Sequence, residues 1–319
     1  MDESSGGKAV SIIHIPFDGV FLRLIQPKSA RRMQVSIESS CMICKSDHSL
    51  AAWFEKESRG SKYSIVRCSA CKSAYVWPRP KLSDILAIYS SLVEYSGANE
   101  SGVYWPNAEE DARRIFRNFG PRILAAGTIL DIGSGEGIAS AEAVRCGFKV
   151  RACEPSPHAC REFAKRIGFE PDPTFFSEEY AEQNRGLFDG ALLSHVLEHI
   201  LDVDKFVQDM RVVLKPGSSL IIAVPHFGSI LTMLMGEKDF FITPPIHLNY
   251  LSLPGITALL MRNGFEVKAS YTSSKVNLER YKNRLGPGRY AINTAGYLAM
   301  RLSEVFQRSI VLNVCATCM

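Results

Sequence analysis

The chain has 319 residues and a formal net charge of +4 at pH 7; 46% of its residues are hydrophobic and 22% are charged. This balance is ordinary for a globular protein of about two domains, and it excludes a fibrous or a largely disordered chain. No apolar run approaches the roughly 18 residues that a membrane span requires, and the N-terminus is acidic and unlike a signal peptide. We therefore expect a cytoplasmic protein.

The positive charge is concentrated near the N-terminus. Residues 1–80 hold 12 Lys and Arg against 7 Asp and Glu, an excess of +5, so the remainder of the chain is close to neutral. The excess is compatible with an anionic partner, such as a nucleotide-linked sugar or a nucleic acid. It is equally compatible with an ordinary solvated surface.

Four cysteines in this region form two C-x-x-C pairs. Cys41 and Cys44 make the first pair, and Cys68 and Cys71 make the second. Two such pairs offer four thiolates to one tetrahedral zinc ion, whereas a thioredoxin-type redox site uses a single pair. A segment this small cannot bury enough apolar surface to be stable alone, and a bound metal would supply the missing stability. We therefore predict a structural zinc ribbon over residues 38–80.

The other five cysteines are interpreted differently. Cys146, Cys153 and Cys160 are expected to be packing residues in a reducing compartment. Cys315 and Cys318 form a third C-x-x-C pair, which we interpret as a chance pair on a terminal strand. A second metal or redox site is the alternative.

A helical segment is predicted after the ribbon. It begins at residues 82–89, and apolar residues at helical spacing predict a further helix from Ala108 to Phe119. We assign residues 81–125 to this linker and cap, and residues 1–37 to an N-terminal extension.

Strands alternate with helices from residue 128 onward, which predicts an α/β fold with a doubly wound parallel sheet. A further strand near residues 169–172 is expected to be short and at an edge, because prolines interrupt it. We assign residues 126–319 to this domain, with a mostly helical insertion at about 276–307. The other predicted strands cover residues 128–132, 148–153, 187–194, 218–224, 265–271 and 309–314.

Three glycines follow the first of these strands. Gly133, Gly135 and Gly137 stand at alternate positions, where they permit positive φ and leave room for a ligand against bare backbone. The loop and the start of the next helix aim N–H groups at a negatively charged ligand. Glu154 ends the second strand about 20 positions beyond the loop, where an acidic residue typically binds ribose hydroxyls. Because Ile138 stands where a dinucleotide fingerprint requires glycine, we predict a different adenosine-like cofactor.

The segment from Asp131 to Gly137 resembles motif I of the class I S-adenosylmethionine (SAM)-dependent methyltransferases. Residues 187–199 are similar to the fourth strand of that family and the helix after it, and residues 213–225 are similar to its Lys-Pro-Gly turn and fifth strand. The resemblance covers roughly residues 125–270. It implies a seven-stranded Rossmann-like sheet with an antiparallel last strand, and SAM as the cofactor.

The same resemblance implies which residues bind the cofactor. Glu154 would hold the ribose, and Asp131 would either contact the cofactor or only order the loop through backbone N–H groups. The implied SAM-binding residues are Asp131, Gly133, Ser134, Gly135, Gly137, Glu154 and Ser194.

Histidines near the carboxyl ends of the strands are the candidate catalytic residues. Methyl transfer to a hydroxyl needs a base whose pKa is near 7. His195 directly follows the fourth strand, at the edge where open α/β sheets bind ligands, and is either the base or a pocket residue. His199 comes four residues later, beside Glu198, and we expect a helix that puts both histidines on one face. His226 and His247 follow the fifth strand, and either is a further candidate for contact with the acceptor.

The succession of a zinc ribbon, a Pro-rich junction and a SAM domain with an H-x-L-E-H pattern resembles bacterial methyltransferases that modify sugars, surface polysaccharides or secondary metabolites. This resemblance spans roughly residues 38–270 and implies a small-molecule acceptor, above all a hydroxyl of a sugar or nucleotide-linked sugar. An RNA methyltransferase that holds nucleic acid with its basic ribbon is one alternative, although a base-binding motif after the fourth strand and a dense basic stripe are both lacking. A non-catalytic SAM-fold binding module is another, which the complete glycine loop and Glu154 disfavour.

Overall fold

The computed structural model describes residues 40–47, 49–58, 60–88, 108–274, 298–299 and 301–319, which belong to one compact unit. The predicted N-terminal extension and most of the predicted insertion at 276–307 lie outside these residues. Within the described part of the chain, no helix has the length and apolar character that crossing a membrane requires.

Ten strands are present in the described residues. In chain order they are β1 (Leu50–Ser58), β2 (Ser61–Cys68), β3 (Ala74–Trp77), β4 (Thr128–Ile132), β5 (Lys149–Cys153), β6 (Phe188–Ser194), β7 (Leu214–Pro225), β8 (Asn249–Tyr250), β9 (Phe265–Ser273) and β10 (Val311–Cys318).

The helices surround these strands, and several match the sequence predictions. The helix Ala108–Phe119 has the predicted bounds and buries its apolar face. Residues 82–88 are also helical, where the linker was predicted to begin. The other α-helices are Ile138–Arg145, Pro157–Ile167, Glu178–Gln183, Val203–Val213, Ile230–Met235 and Leu253–Arg262.

Six of the strands form the central sheet, in the order β5-β4-β6-β7-β10-β9. The first four are parallel, and β10 runs antiparallel between β7 and β9. Leu130 and Leu193 pack into the core on one face of this sheet, whereas Ile129 and Leu192 pack into the core on the other. The predicted α/β Rossmann-like fold with an antiparallel last strand is therefore confirmed.

The predicted strand near residues 169–172 is reduced to a single parallel bridge between Asp172 and Cys153. Pro171 and Pro173 flank Asp172, and they lack the N–H groups that would extend the ladder. The expected count of seven strands is therefore wrong for the described residues, whose central sheet has six.

The predicted helix after β6 is also wrong. His195 has a φ of 58°, and the residues that follow make a single 3-10 turn over Leu197–His199. A residue in the left-handed region is not part of a right-handed helix, so the chain changes direction at His195. His195 and His199 therefore do not share a helix face. Both instead lie near the carboxylate of Glu198.

The ribbon region forms a second, antiparallel sheet in the order β1-β2-β3-β8. Its fourth strand comes from much later in the chain: Tyr75 of β3 pairs with Asn249 of β8. Oγ of Ser73 lies 3.0 Å from Oγ of Ser252, the residue that caps the helix Leu253–Arg262. The ribbon is thus packed directly against the α/β part of the molecule.

The cysteines outside the ribbon have different environments. Cys153 and Cys160 are buried, as expected of packing residues, but Cys146 is exposed, so that prediction is wrong for Cys146. Cys315 and Cys318 are three positions apart in β10, and their side chains therefore point to opposite faces of the sheet. They pack into different cores and do not form one site.

Candidate functional site

The glycine loop connects β4 to the helix Ile138–Arg145. Gly133, Gly135 and Gly137 have φ values of 62°, 53° and 77°, a region that glycine was expected to permit here. A Cβ atom at Gly133 would lie 2.8 Å from Cγ2 of Val196, and one at Gly137 would lie 2.7 Å from Cδ2 of Phe163. Side chains are therefore excluded at both positions by space as well as by conformation. At Gly135 the same direction is open, so the middle of the loop can approach a ligand.

A cavity of about 300 Å³ lies beside this loop. The predicted residues Asp131, Gly133, Ser134, Gly135, Ser194 and His195 line it. Gly137 and Glu154 are not among its lining residues. The helix Ala108–Phe119 supplies one wall through Ala108, Asp111, Ala112 and Ile115, and β7 and β10 supply Ala223 and Asn313. Sequence reasoning identified that helix but not its place in the site, because its apolar spacing was explained by burial alone.

Glu154 is fastened to the centre of the glycine loop. Its Oε2 accepts a hydrogen bond from the Gly135 N–H at 2.9 Å, and its Oε1 accepts one from the Ser156 N–H at 2.8 Å. Burial raises the pKa of Glu154, and the two N–H groups oppose that effect. Each carboxylate oxygen has a second lone pair, so the group keeps capacity to accept from a ligand.

Asp131 holds the start of the helix that follows the loop. Its buried Oδ2 accepts a hydrogen bond from Oγ of Ser140 at 2.6 Å. Burial raises the pKa of Asp131 to about 7, although the bond from Ser140 and backbone contact oppose the rise. This geometry agrees with an ordering role, while the place of Asp131 in the cavity wall also allows contact with a ligand.

Glu198 connects the histidines at the carboxyl edge of the sheet. Its Oε1 lies 3.2 Å from Nδ1 of His195 and 4.0 Å from Nε2 of His199. The rings of His199 and His247 are 4.9 Å apart between centroids, in an edge-to-face arrangement. Burial opposes ionisation of Glu198, but the bond from His195 and the charges of the surrounding histidines outweigh it and lower its pKa to about 2. The predicted catalytic histidines are therefore brought together, around a carboxylate that sequence reasoning did not single out.

His226 lies apart from this group. Its Nδ1 is 2.9 Å from the Ser309 carbonyl, and its ring packs against Gly228. Burial is the main cause that lowers its pKa. These contacts are those of a buried structural histidine.

The four ribbon cysteines are also brought together. Their Sγ atoms all lie within 4.8 Å of one another, with Cys41 and Cys71 at 4.0 Å and Cys44 and Cys68 at 3.7 Å. Two sulfurs of a tetrahedral zinc site are about 3.8 Å apart, because Zn–S bonds are about 2.3 Å long. The hydrogen bond between Cys41 and Cys71 lowers the pKa of the Cys71 thiol to about 5 and raises the pKa of the Cys41 thiol, so the pair loses one proton readily and retains the other. The cluster therefore fits a zinc ribbon.

Each C-x-x-C pair forms a tight turn, called a knuckle, and a lysine directly follows its second cysteine. Lys45 and Lys72 have φ values of 60° and 65°, and their N–H groups donate to the carbonyls of Cys41 and Cys68. Knuckles often have glycine at this position, so the two turns are the strained form of the same motif.

Residues 104–270 match the family model described as a methyltransferase domain. The chain belongs to this methyltransferase family. The predicted enzyme class, a SAM-dependent methyltransferase, is thereby confirmed.

The curated relatives are O-methyltransferases. The chain is 32% identical over 108 residues to the ubiquinone biosynthesis O-methyltransferase of Methylocella silvestris, covering 33% of this chain and 42% of that protein. It is 33% identical over 153 residues to the human mitochondrial ubiquinone biosynthesis O-methyltransferase, covering 44% of this chain and 42% of the human protein. The chain thus spans less than half the length of these relatives.

A solved structure supports the fold. The chain resembles the 1,6-didemethyltoxoflavin-N1-methyltransferase of Burkholderia thailandensis, which was crystallised with S-adenosylhomocysteine. The TM-score is 0.51 at 15% identity, and the match covers 83% of this chain and 99% of that one. At this identity the likeness concerns the fold alone.

The relatives contradict the acceptor expected from the sequence. A sugar or nucleotide-linked sugar was predicted, whereas the relatives are named for O-methylation in ubiquinone biosynthesis. The prediction of a sugar acceptor is therefore wrong. The two alternatives, an RNA methyltransferase and a non-catalytic module, also find no support among these relatives.

Proposed function

We propose that this protein transfers the methyl group of SAM to a ring hydroxyl of a small aromatic molecule of the quinone-precursor type. The observation that carries the proposal is the position of His195. It lines the cavity beside the glycine loop, and its Nδ1 lies 3.2 Å from Oε1 of the buried Glu198. The names of the curated relatives supply the acceptor class.

The cavity has features that fit SAM. Among the described residues that line it, Ser134 has a buried Oγ without a hydrogen-bond partner. The open direction at Gly135 allows a ligand to lie against the loop. In the proposal the loop backbone and Ser134 bind the amino-acid part of SAM, Glu154 accepts from the ribose hydroxyls, and Asp131 and Ser194 complete the wall. When bound there, SAM supplies an electrophilic methyl group on a sulfonium.

His195 serves as the general base in this proposal. Its Nδ1–H donates to Glu198, so Nε2 is the basic nitrogen that takes the proton from the acceptor hydroxyl. Glu198 stabilises the imidazolium that results, in the same way as the carboxylate of a catalytic triad. The acceptor oxygen forms its new bond to the methyl carbon, and the electron pair of the C–S bond stays on the sulfur of S-adenosylhomocysteine.

We also propose that Cys41, Cys44, Cys68 and Cys71 hold a structural zinc ion. The ion would fix the ribbon sheet, whose last strand β8 begins two residues after His247. The ribbon would thereby support the acceptor side of the site without contacting the cofactor.

The acceptor class is tested with methyl-labelled SAM and three acceptors in parallel: a catechol-type phenol, a nucleotide sugar and tRNA. We expect label on the phenol oxygen alone. A phenol whose hydroxyls are already methylated is the matched control and should stay unlabelled. Label on the sugar or the RNA, or binding of SAM without transfer to any phenol, would contradict the proposal.

A further inference from the structure

The helix Ala108–Phe119 lines the cavity mainly with its first half. Ala108, Asp111 and Ala112 belong to that half and line the cavity. The large apolar side chains that bury the helix in the core come later: Ile115, Phe116 and Phe119. Apolar packing therefore fixes the second half of the helix most firmly, and the position of the first half depends more on polar contacts.

Arg114 in the middle of this helix contacts a carboxylate from far along the chain. Its Nη1 and Nη2 donate to Oε1 and Oε2 of Glu304 at 3.2 and 3.3 Å. Two parallel N–H···O bonds fix the orientation of both groups as well as their distance. The guanidinium carbon also lies 5.9 Å from the centre of the Tyr271 ring. Arg114 is thus held in one direction, and with it the helix that carries it.

Glu304 is in turn attached to the end of the central sheet. Its Oε1 accepts hydrogen bonds from the N–H and from Oγ of Ser274, each at 2.7 Å, and Ser274 directly follows β9. Its Oε2 accepts a further bond from Arg301 at 2.7 Å. Burial opposes ionisation of Glu304, but the bonds from Arg114 and Ser274 outweigh it and lower its pKa. The carboxylate is therefore a charged and fixed point of attachment.

The pair of Arg114 and Glu304 differs from an ordinary surface ion pair. The two side chains are 21% and 10% exposed, so solvent screens their attraction less than that of an exposed pair. Removal of either partner would leave the other charge without compensation. The neighbouring Arg113 is 45% exposed and pairs with Glu109 and Glu110 of its own helix, so it cannot orient that helix against the rest of the protein.

We propose that Glu304 is a positioning residue for the cofactor, which acts through Arg114 to set the cavity-lining half of the helix Ala108–Phe119 at the distance from the glycine loop that SAM requires. This step rests on the proposed function, in which SAM binds in that cavity. Neither Arg114 nor Glu304 is among the lining residues, so the effect passes through the helix. The insertion predicted at about 276–307 thereby gains a role at its C-terminal end.

Calorimetry with SAM and S-adenosylhomocysteine tests the proposal. Glu304→Gln should bind both about tenfold more weakly or worse. At saturating SAM its kcat, and its KM for a phenol acceptor, should stay within about twofold of the wild type, because the contacts of His195 are untouched. A merely structural role would instead lower the active fraction and leave the affinity of the folded molecules unchanged. Arg301→Gln and Arg113→Gln are the matched controls and should bind SAM as the wild type does.

A double variant shows whether the effect passes through the pair. Arg114→Met, Glu304→Gln and the combination of both are compared in SAM affinity. If both residues act through one contact, the combination should lose no more affinity than the more affected single variant, whereas independent effects would multiply. Multiplied losses would overturn the proposal. The combination leaves neither charge of the pair unmatched, so it supplies the measurement if a single variant fails to fold.

The positioning role and the proposed function fail separately, because calorimetry needs no acceptor. SAM affinity equal to that of the wild type in the folded variants, together with methylation of a phenol, would overturn the role of Glu304 and leave the O-methyltransferase standing. Weakened SAM binding in Glu304→Gln, without methylation of any phenol by the wild type, would sink the proposed acceptor and leave the positioning role. A wild-type chain that does not bind SAM would overturn both.

Discussion

Nη2 of Arg79 donates a hydrogen bond to Oδ1 of Asn249 at a distance of 2.9 Å. Arg79 comes two residues after β3 of the ribbon, and it also donates to the carbonyls of Ile200, Leu201 and Leu248. Nδ2 of Asn249 in turn donates to the carbonyls of Leu197 and Ile200. One half-buried guanidinium thus links the ribbon to both segments that carry the clustered histidines.

Arg79→Lys should impair turnover while leaving cofactor binding intact. A lysine has one compact donor group in place of the planar fork and cannot reach all four acceptors, so the turns after His199 and His247 would lose their common support. We expect kcat to fall at least tenfold and the free energy of unfolding to fall by about 2 kcal/mol, with the KM for SAM within twofold. Steady-state kinetics and thermal unfolding measure these quantities. Arg117→Lys, at an exposed position, is the control, and an equal loss of SAM affinity in Arg79→Lys would count against a positioning role.

Glu154→Ala should weaken SAM binding by an order of magnitude or more. The change removes the proposed ribose contact and also leaves the N–H groups of Gly135 and Ser156 without their acceptor. Isothermal calorimetry with SAM and S-adenosylhomocysteine gives the affinities, and Glu170→Ala is the exposed control. Unchanged affinity would show that Glu154 does not hold the cofactor.

His195→Asn should spare SAM binding and lower turnover by about 100-fold or more. Asparagine tolerates the left-handed backbone that His195 adopts, so the turn itself should survive the substitution. Steady-state methyl transfer measured at a fixed pH gives the rates. His158→Asn is the control. A wild-type rate in His195→Asn would eliminate His195 as the base.

Asp131→Asn should flatten the pH dependence of stability in the cofactor-free protein. Burial raises the pKa of Asp131 from 3.8 to about 7, so the folded protein keeps a proton that the unfolded chain releases. The stability contribution of this group is therefore complete below about pH 4 and is lost as the pH rises through about 7. Relative to the variant, the wild type should lose about 2–3 kcal/mol of unfolding free energy between pH 5 and pH 8. Denaturant unfolding at several pH values measures this, Asp84→Asn is the control, and parallel curves would contradict the expectation.

Cys71→Ser should remove the ribbon zinc and lower the melting temperature. Elemental analysis should find one ion fewer per chain than in the wild type, because a three-thiolate site binds zinc less tightly. Methyl transfer should fall more than SAM affinity, since β3 of the ribbon pairs with β8, which begins two residues after His247. Cys146→Ser, at an exposed cysteine, should change none of these quantities. Purified protein without zinc in the ribbon would refute the structural metal.

The parts that sequence predicted well are those that local physics dictates. The glycines at 133, 135 and 137 were expected to permit positive φ, and all three adopt it; the apolar spacing of the helix Ala108–Phe119 predicted its bounds. The two C-x-x-C pairs predicted a cluster of four sulfurs, because each pair brings its own two thiols together.

The errors arose where contacts with residues distant in the sequence determine the backbone conformation. The four-residue spacing of His195 and His199 suggested a helix, but the turn after β6 bends through a left-handed residue instead. The flanking prolines predicted a short edge strand at Asp172. How many hydrogen bonds it forms with β5 depends on the tertiary structure, which leaves one bridge, to Cys153.

By itself, the sequence determined a glycine-loop α/β fold, a cysteine cluster and a SAM-type cofactor, since these depend on short spacings along the chain. Only the tertiary structure decided that the helix Ala108–Phe119 walls the cavity, that β8 completes the ribbon sheet, and that Glu198 gathers His195, His199 and His247. The physical reason is that burial and sheet pairing join residues far apart in the chain, and no local periodicity encodes which of them will meet.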